Sequence, residues 1–204
     1  MLKRRTMTTF IGAAPLIASS ALGQRAWGQS GSPAAALVRT TSDQLIAIVS
    51  ASGSREDRRR RLKQVIDATV DIDDLARFCL GRFWQSAAPD QRAQYLARFE
   101  EMMVIEISGH LGEYRGVLIA IGPVRANADT EIVVTTVTRP DNPATQVDWV
   151  VSTQTGRPKI VDLIAGGTSM RLTHRGDFSA YLASHQNDMR ELIEAMGQKV
   201  TEGE

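Results

Sequence analysis

The sequence predicts an α+β protein: helices packed over one face of a curved antiparallel sheet of about four strands. Three observations carry this expectation. Residues 33–114 place apolar side chains at spacings of three, four and seven. Residues 130–165 switch to β-branched runs separated by turn residues. Residues 178–196 return to helical spacing.

The elements follow in order. Pro33 to Ser50 carries Leu37, Leu45, Ile48 and Val49 at helical spacing, and Gly53-Ser54 breaks it. Ser54 caps a second helix whose first turn holds Glu56 and Asp57 and whose apolar face is Leu62, Val65 and Ile66. Asp71 opens a short third helix with Leu75, Phe78, Cys79 and Leu80 inward, ended by Gly81. Pro89 suits the first position of a long helix from Asp90 to about Glu113, through Tyr95, Phe99, Met103, Ile107 and His110. Thr130–Thr138, Thr145–Thr153 and Lys159–Ala165 read as strands, with turns at 139–143 and 156–158. Gly166-Gly167 turns again, and Thr168–Thr173 adds a candidate strand. Sequential hairpins imply an antiparallel meander. Phe178, Tyr181 and Leu182, then Met189, Leu192, Ile193 and Met196, mark two closing helices.

Residues 1–28 read as an export signal rather than as part of the fold. Lys3, Arg4 and Arg5 precede a short apolar stretch, Phe10 to Ala21, followed by small residues. The stretch is too short to span a bilayer. Arg4-Arg5 is compatible with a twin-arginine signal, and the general secretory route stays open. Cleavage fits before Gln29 or before Gln24. Residues 29–204 form one domain. The signal holds four basic residues and no acid, so the +1 of the whole chain becomes −3 for residues 29–204. That balance gives no bulk attraction to nucleic acid or to anionic membranes. The single cysteine, Cys79, rules out an internal disulfide and a cysteine-based metal site.

Catalytic constellations are missing from the sequence. His110, His174 and His185 lie apart and outside any HExxH spacing. Glu106 and His110, four apart on one helix, suit a surface hydrogen bond better than a zinc site. Asp71, Asp73 and Asp74 lack the EF-hand spacing and suit helix capping. Ser169 and His174 make no triad. The run Arg58–Arg61 splays around a helix and reads as a solvated start, with docking of an acidic partner as the sharper alternative. For Arg175 the default is a structural ion pair, and the sharper alternative is a phosphate contact.

One stretch, VDIDDLARFCLGRFWQSAAPDQRAQYLARFEEMMVIEISGHLGEY from Val70 to Tyr114, resembles a known family. Its acidic start, LGR-aromatic-Trp, Pro-capped helix and closing EY are similar to the MlaC/Ttg2 (toluene-tolerance) family, including the HpnM-like hopanoid-associated members. The likeness spans about residues 37–196 and resumes at KIVDLIAGGTSMRLTHRGDF, where Arg175 and Phe178 match an Arg-x-x-Phe pattern. The tryptophan expected after Gly156 is missing, which leaves room for a hopanoid or another polycyclic lipid.

The resemblance implies an NTF2-like or cystatin-like sheet with a helical annex, enclosing an apolar cavity. It implies a periplasmic, non-enzymatic, monomeric carrier of phospholipid, tails buried and headgroup exposed, without metal or cofactor or stable membrane insertion. It would serve an ABC-transport system, with an outer-membrane lipoprotein complex and an inner-membrane MCE-domain ring as partners. The residues expected to line the cavity are Phe83, Trp84, Phe99, Met103, Val134, Val147, Trp149 and Met170, with Arg175 near the rim. Two rival readings stay open. One is an enzyme on the same scaffold using Asp162 or Asp148. The other is a structural adaptor with a filled core.

Overall fold

The computed structural model describes residues 31–154 and 156–203. The expected export signal lies outside the described residues. The helices are α1 (Pro33–Ser50), α2 (Arg55–Thr69), α3 (Ile72–Leu80), α4 (Phe83–Ser86) and α5 (Pro89–His110). After a 3-10 turn, Leu111–Tyr114, come the strands β1 (Leu118–Asn127), β2 (Thr130–Thr138), β3 (Thr145–Ser152), β4 (Lys159–Ala165) and β5 (Thr168–Ser169). Helices α6 (Met170–Ser184) and α7 (Met189–Gly203) follow.

Local chemistry explains most helix starts. The hydroxyls of Ser32 and Ser54 accept the amides of Ala35 and Asp57 at 3.1 and 3.0 Å. Asp71 accepts the Asp74 amide at 3.1 Å, so the acidic triplet caps α3. Gln91 reaches back to the Ala88 amide at 3.0 Å, with Pro89 in the first turn of α5. Gly81 ends α3 at φ +59°, ψ −129°, a conformation that glycine alone adopts cheaply.

The sheet is an antiparallel meander in the order β1-β2-β3-β4-β5. Among the described residues it has five strands, where about four were expected. Strand β1 escaped the sequence reading because Gly122-Pro123 sits in its middle and reads as a break. Proline is tolerated here because β1 is an edge strand and the pairing shifts between Ile121 and Val124. Gly122 is needed there: an added Cβ would stand 3.1 Å from the Val134 carbonyl oxygen. The last strand is shorter than the expected Thr168–Thr173. The Ser169 hydroxyl accepts the Leu172 amide at 3.2 Å and starts α6 at Met170. The long helix ends at His110 and tightens into the 3-10 turn. His110 meets Glu113 at 3.0 Å, not Glu106. Glu106 instead lies 3.9 Å from His174 and 3.6 Å from Lys199.

The interior divides into three apolar clusters. Helices α3, α5, α6 and α7 enclose Tyr95, Phe99, Phe178 and Leu182. Helices α1, α2 and α5 enclose Ile48, Leu62, Ile66 and Val104. Helix α1 lies on the sheet, where Ala34 and Val38 meet Val133, Trp149 and Val151. The Trp149 indole donates to the Thr135 hydroxyl at 3.0 Å, which donates to the Val147 carbonyl at 2.9 Å. That chain satisfies the buried Trp149 indole and Thr135 hydroxyl.

Candidate functional site

The three clusters meet without merging. Val70 borders all three. A mainly enclosed cavity of about 40 Å³ lies at this junction. Each wall comes from a different element. Helix α2 and the joint after it supply Ile66 and Val70, α3 supplies Ile72 and Leu75, and α5 supplies Met103 and Ile107. Strand β4 supplies Ile160, Asp162 and Leu163, and α6 supplies Met170. Apart from Asp162 the lining side chains are apolar and favour hydrocarbon over water.

The α2–α3 joint is stitched to the sheet beside this cavity. The Asp71 amide donates to the Ile160 carbonyl at 3.0 Å, and Val70 forms a parallel bridge with Ile160. The Lys159 ammonium donates to the carbonyls of Asp67 and Ala68 at 3.0 and 2.8 Å, closing the C-terminal end of α2.

Among the described residues Asp162 is the one ionisable group on the wall, and its carboxylate is held by neighbours. It accepts the amides of Leu163 and Arg171 at 2.9 and 3.1 Å and the Ser169 hydroxyl at 2.5 Å. The Arg171 Nε lies 3.4 Å away. With a side chain 3% exposed, this carboxylate anchors the N-terminus of α6. Asp148, the other acid considered for catalysis, takes the Arg125 guanidinium and the Gln146 amide, each at 2.7 Å, and does not line the cavity. Burial pushes the Cys79 thiol up to about 12, and nearby Asp162 adds to the effect, so the thiol stays protonated and inert. Among the described residues no group of three His, Cys, Asp or Glu side chains is placed to hold a metal ion.

The expected cavity residues scatter. Met103 and Met170 stand on the wall. Phe83 and Phe99 are buried in the helical cluster, where Phe99 contacts Tyr95 and Phe178 edge-on or tilted. Val147 and Trp149 pack in the cluster under α1. Val134 pairs with Asp148 and alternates with the buried Val133, which puts it on the opposite sheet face from Trp149. Trp84 is half-buried beside Arg77 and Arg92. Arg175 is exposed and lies over the Phe78 ring. Its expected ion pair is replaced by this ring contact. The wall of this cavity is built mainly of branched aliphatics near element ends. Their signal was the apolar run Val70-x-Ile72 across a helix boundary, where no periodicity operates.

A larger concavity of about 860 Å³ runs along α5 and α7, but Arg98, Glu101, Arg190 and Glu194 are among its walls and it opens to solvent. Hydrocarbon would gain little there. Among the described residues no helix is long and apolar enough to cross a membrane. The Arg58–Arg61 run is dispersed: Arg58 donates to the Gly53 carbonyl, Arg59 to the Gly203 carbonyl, and Arg60 pairs with Asp57.

Fold and site define a class: a helix-covered antiparallel meander with an apolar cavity between its helices and its sheet. Residues 39–198 match the family described as MlaC protein, and the chain belongs to that family. The fold is similar to a solved phospholipid-binding protein from Ralstonia solanacearum, described in complex with a phospholipid. The TM-score is 0.72 at 22% identity, over 83% of this chain and 98% of that one.

Proposed function

We propose that this protein is a periplasmic carrier that binds phospholipid non-covalently, tails inside and headgroup in water. It would shuttle lipid between outer and inner membranes as the soluble component of an ABC-transport system. Its partners would be an outer-membrane lipoprotein complex and an inner-membrane MCE-domain ring. The apolar cavity at the junction of three clusters carries the reading. Family membership and the phospholipid complex of the Ralstonia protein support it.

The physical case is simple. Each methylene taken from water contributes about 0.8 kcal/mol, so a free tail does not cross an aqueous gap without a sheath. Ligand pockets hold about 300–1,000 Å³. The cavity of about 40 Å³ is far smaller than that, so on this reading loading requires its walls to separate. The junction is the natural seam, because clusters that meet without merging part with less lost contact than a single interdigitated core. Methionines at positions 103 and 170 supply adaptable wall surface. The occupied Asp162 carboxylate argues against the enzyme reading.

Native mass spectrometry of protein taken from a periplasmic extract, with organic extraction of bound lipid, tests the proposal. Stoichiometric phospholipid is the expected result. A hopanoid in its place would keep the carrier and change its cargo. A lipid-free mass after gentle handling would reject the carrier. Met103→Asp is expected to abolish loading, because it buries an unpaired carboxylate in the seam.

A further inference from the structure

We infer that the arginine-rich elbow formed by α3, α4 and the starts of α5 and α6 is a docking surface for an anionic phospholipid bilayer. Residues 29–204 carry a net −3, so nothing in the overall charge draws this chain to such a surface. The elbow concentrates guanidiniums locally, with Asp73, Asp74, Asp90 and Asp177 exposed on the same elements. Five guanidiniums gather on three rings within residues 78–84. Arg171 and Arg175 lie over Phe78 at 4.4 and 5.0 Å, and Arg82 lies over Phe83 at 4.8 Å. Arg77 and Arg92 each stand 5.3 Å from the Trp84 ring.

The carboxylates that partner these arginines are few. Asp73 lies 3.8 Å from Arg77, and Asp162, paired with Arg171, is buried. Arg82 and Arg175 are exposed and are held by ring faces instead of acids. A stacked guanidinium keeps its N–H edge free for oxygen acceptors and loses little further freedom on binding them. Gly81 makes the arrangement possible. A Cβ there would stand 3.3 Å from the Arg175 Nε, so glycine lets that guanidinium settle against the end of α3.

Two features favour a bilayer over an acidic protein face. Arginines interleaved with the half-buried Phe78 and Trp84 rings match the chemistry of the membrane interface, where such rings and snorkelling cations both sit. The elbow also adjoins the cavity. Leu75 on the wall precedes Phe78 by one helical turn, and Met170 on the wall directly precedes Arg171. Docked through the elbow, the cavity lies close to the source of tails, so a transferring tail is wetted over a short path. This second argument rests on the carrier reading, while the charge argument stands without it.

The test is co-sedimentation of lipid-stripped protein with vesicles of phosphatidylcholine alone or mixed equally with phosphatidylglycerol. Binding to the mixed vesicles alone, lost on adding salt, is expected. Each arginine near an anionic surface is worth about fivefold in partition, so Arg77→Gln/Arg82→Gln/Arg175→Gln should lose on the order of 100-fold. Arg39→Gln/Arg61→Gln/Arg115→Gln removes the same charge from other elements and should leave partition unchanged. If the first triple variant melts early, Arg82→Gln alone serves, with a loss of about fivefold. Equal binding to both vesicle types would overturn the inference, as would equal losses in both triple variants. Binding to polyglutamate but not to vesicles would also overturn it, in favour of an acidic protein partner. Lipid loading measured in parallel separates the readings: a loaded protein that ignores vesicles refutes the docking surface and spares the carrier.

Discussion

Asp162→Asn separates a structural carboxylate from a catalytic one. In the native protein one oxygen accepts the amides of Leu163 and Arg171, and the other accepts the Ser169 hydroxyl beside the Arg171 guanidinium. The substitution keeps the shape, removes the charge and turns one acceptor into a donor. Hydrogen bonds to a charged acceptor contribute about 1.5–3 kcal/mol, against about 0.5–1.5 for neutral ones. Weakening two amide bonds costs roughly 2 kcal/mol on that scale. Loss of favourable charge at the N-terminus of α6 adds about 0.3–1 kcal/mol. The Arg171 ion pair adds little more, because that side chain is 28% exposed. The expected total is about 2–4 kcal/mol, a large share of the 5–15 kcal/mol typical of a domain. Thermal and urea denaturation followed by circular dichroism would read it, as a fall in midpoint of roughly 5–15 °C for a chain of this size. Lipid loading below the new midpoint should persist. An unchanged midpoint would refute the anchoring role. Lost ligand binding or turnover at unchanged stability would put the carboxylate in the site's chemistry.

Further outcomes follow from single contacts. Gly81→Ala should destabilise by about 1–3 kcal/mol, since alanine meets both a positive φ and the Arg175 guanidinium. In an Arg175→Ala background only the backbone share should remain, as a double-mutant cycle of melting curves would show. Thr135→Val strands the buried Trp149 indole N–H and should cost about 1–3 kcal/mol in urea titration. With its thiol pushed up to about 12 from an ordinary 9.0, Cys79 should react with a disulfide reagent at pH 8 about a thousandfold more slowly in the native state than in urea. The rate should rise with pH through the alkaline range, because the reactive thiolate forms only there.

Much of the fold was legible where local chemistry acts alone. Serine and aspartate caps, Pro89 and Gly81 set helix ends within a few residues, and the β-branched runs of β2, β3 and β4 announced themselves by alternation. Errors arose where a neighbour decided the outcome. Gly122-Pro123 looks like a break until β2 pairs across a bulge beside it. Met170 and Arg171 look strand-like until Asp162, from an earlier strand, draws the Arg171 amide into a helix start. The site was less legible. Phe99 and Trp149, expected at the cavity wall, pack in two separate clusters, and smaller aliphatics border the cavity of about 40 Å³.

The sequence by itself determined the class of fold, the absence of cysteine chemistry and the family pattern, because capping, periodicity and composition are properties of neighbours along the chain. The tertiary structure alone decided that three clusters meet without merging, that Asp162 is consumed in anchoring α6, and that arginines from α3, α4, α5 and α6 share one aromatic elbow. Those facts depend on groups far apart in sequence reaching one place, and no local pattern encodes how closely packed surfaces meet or where they fail to.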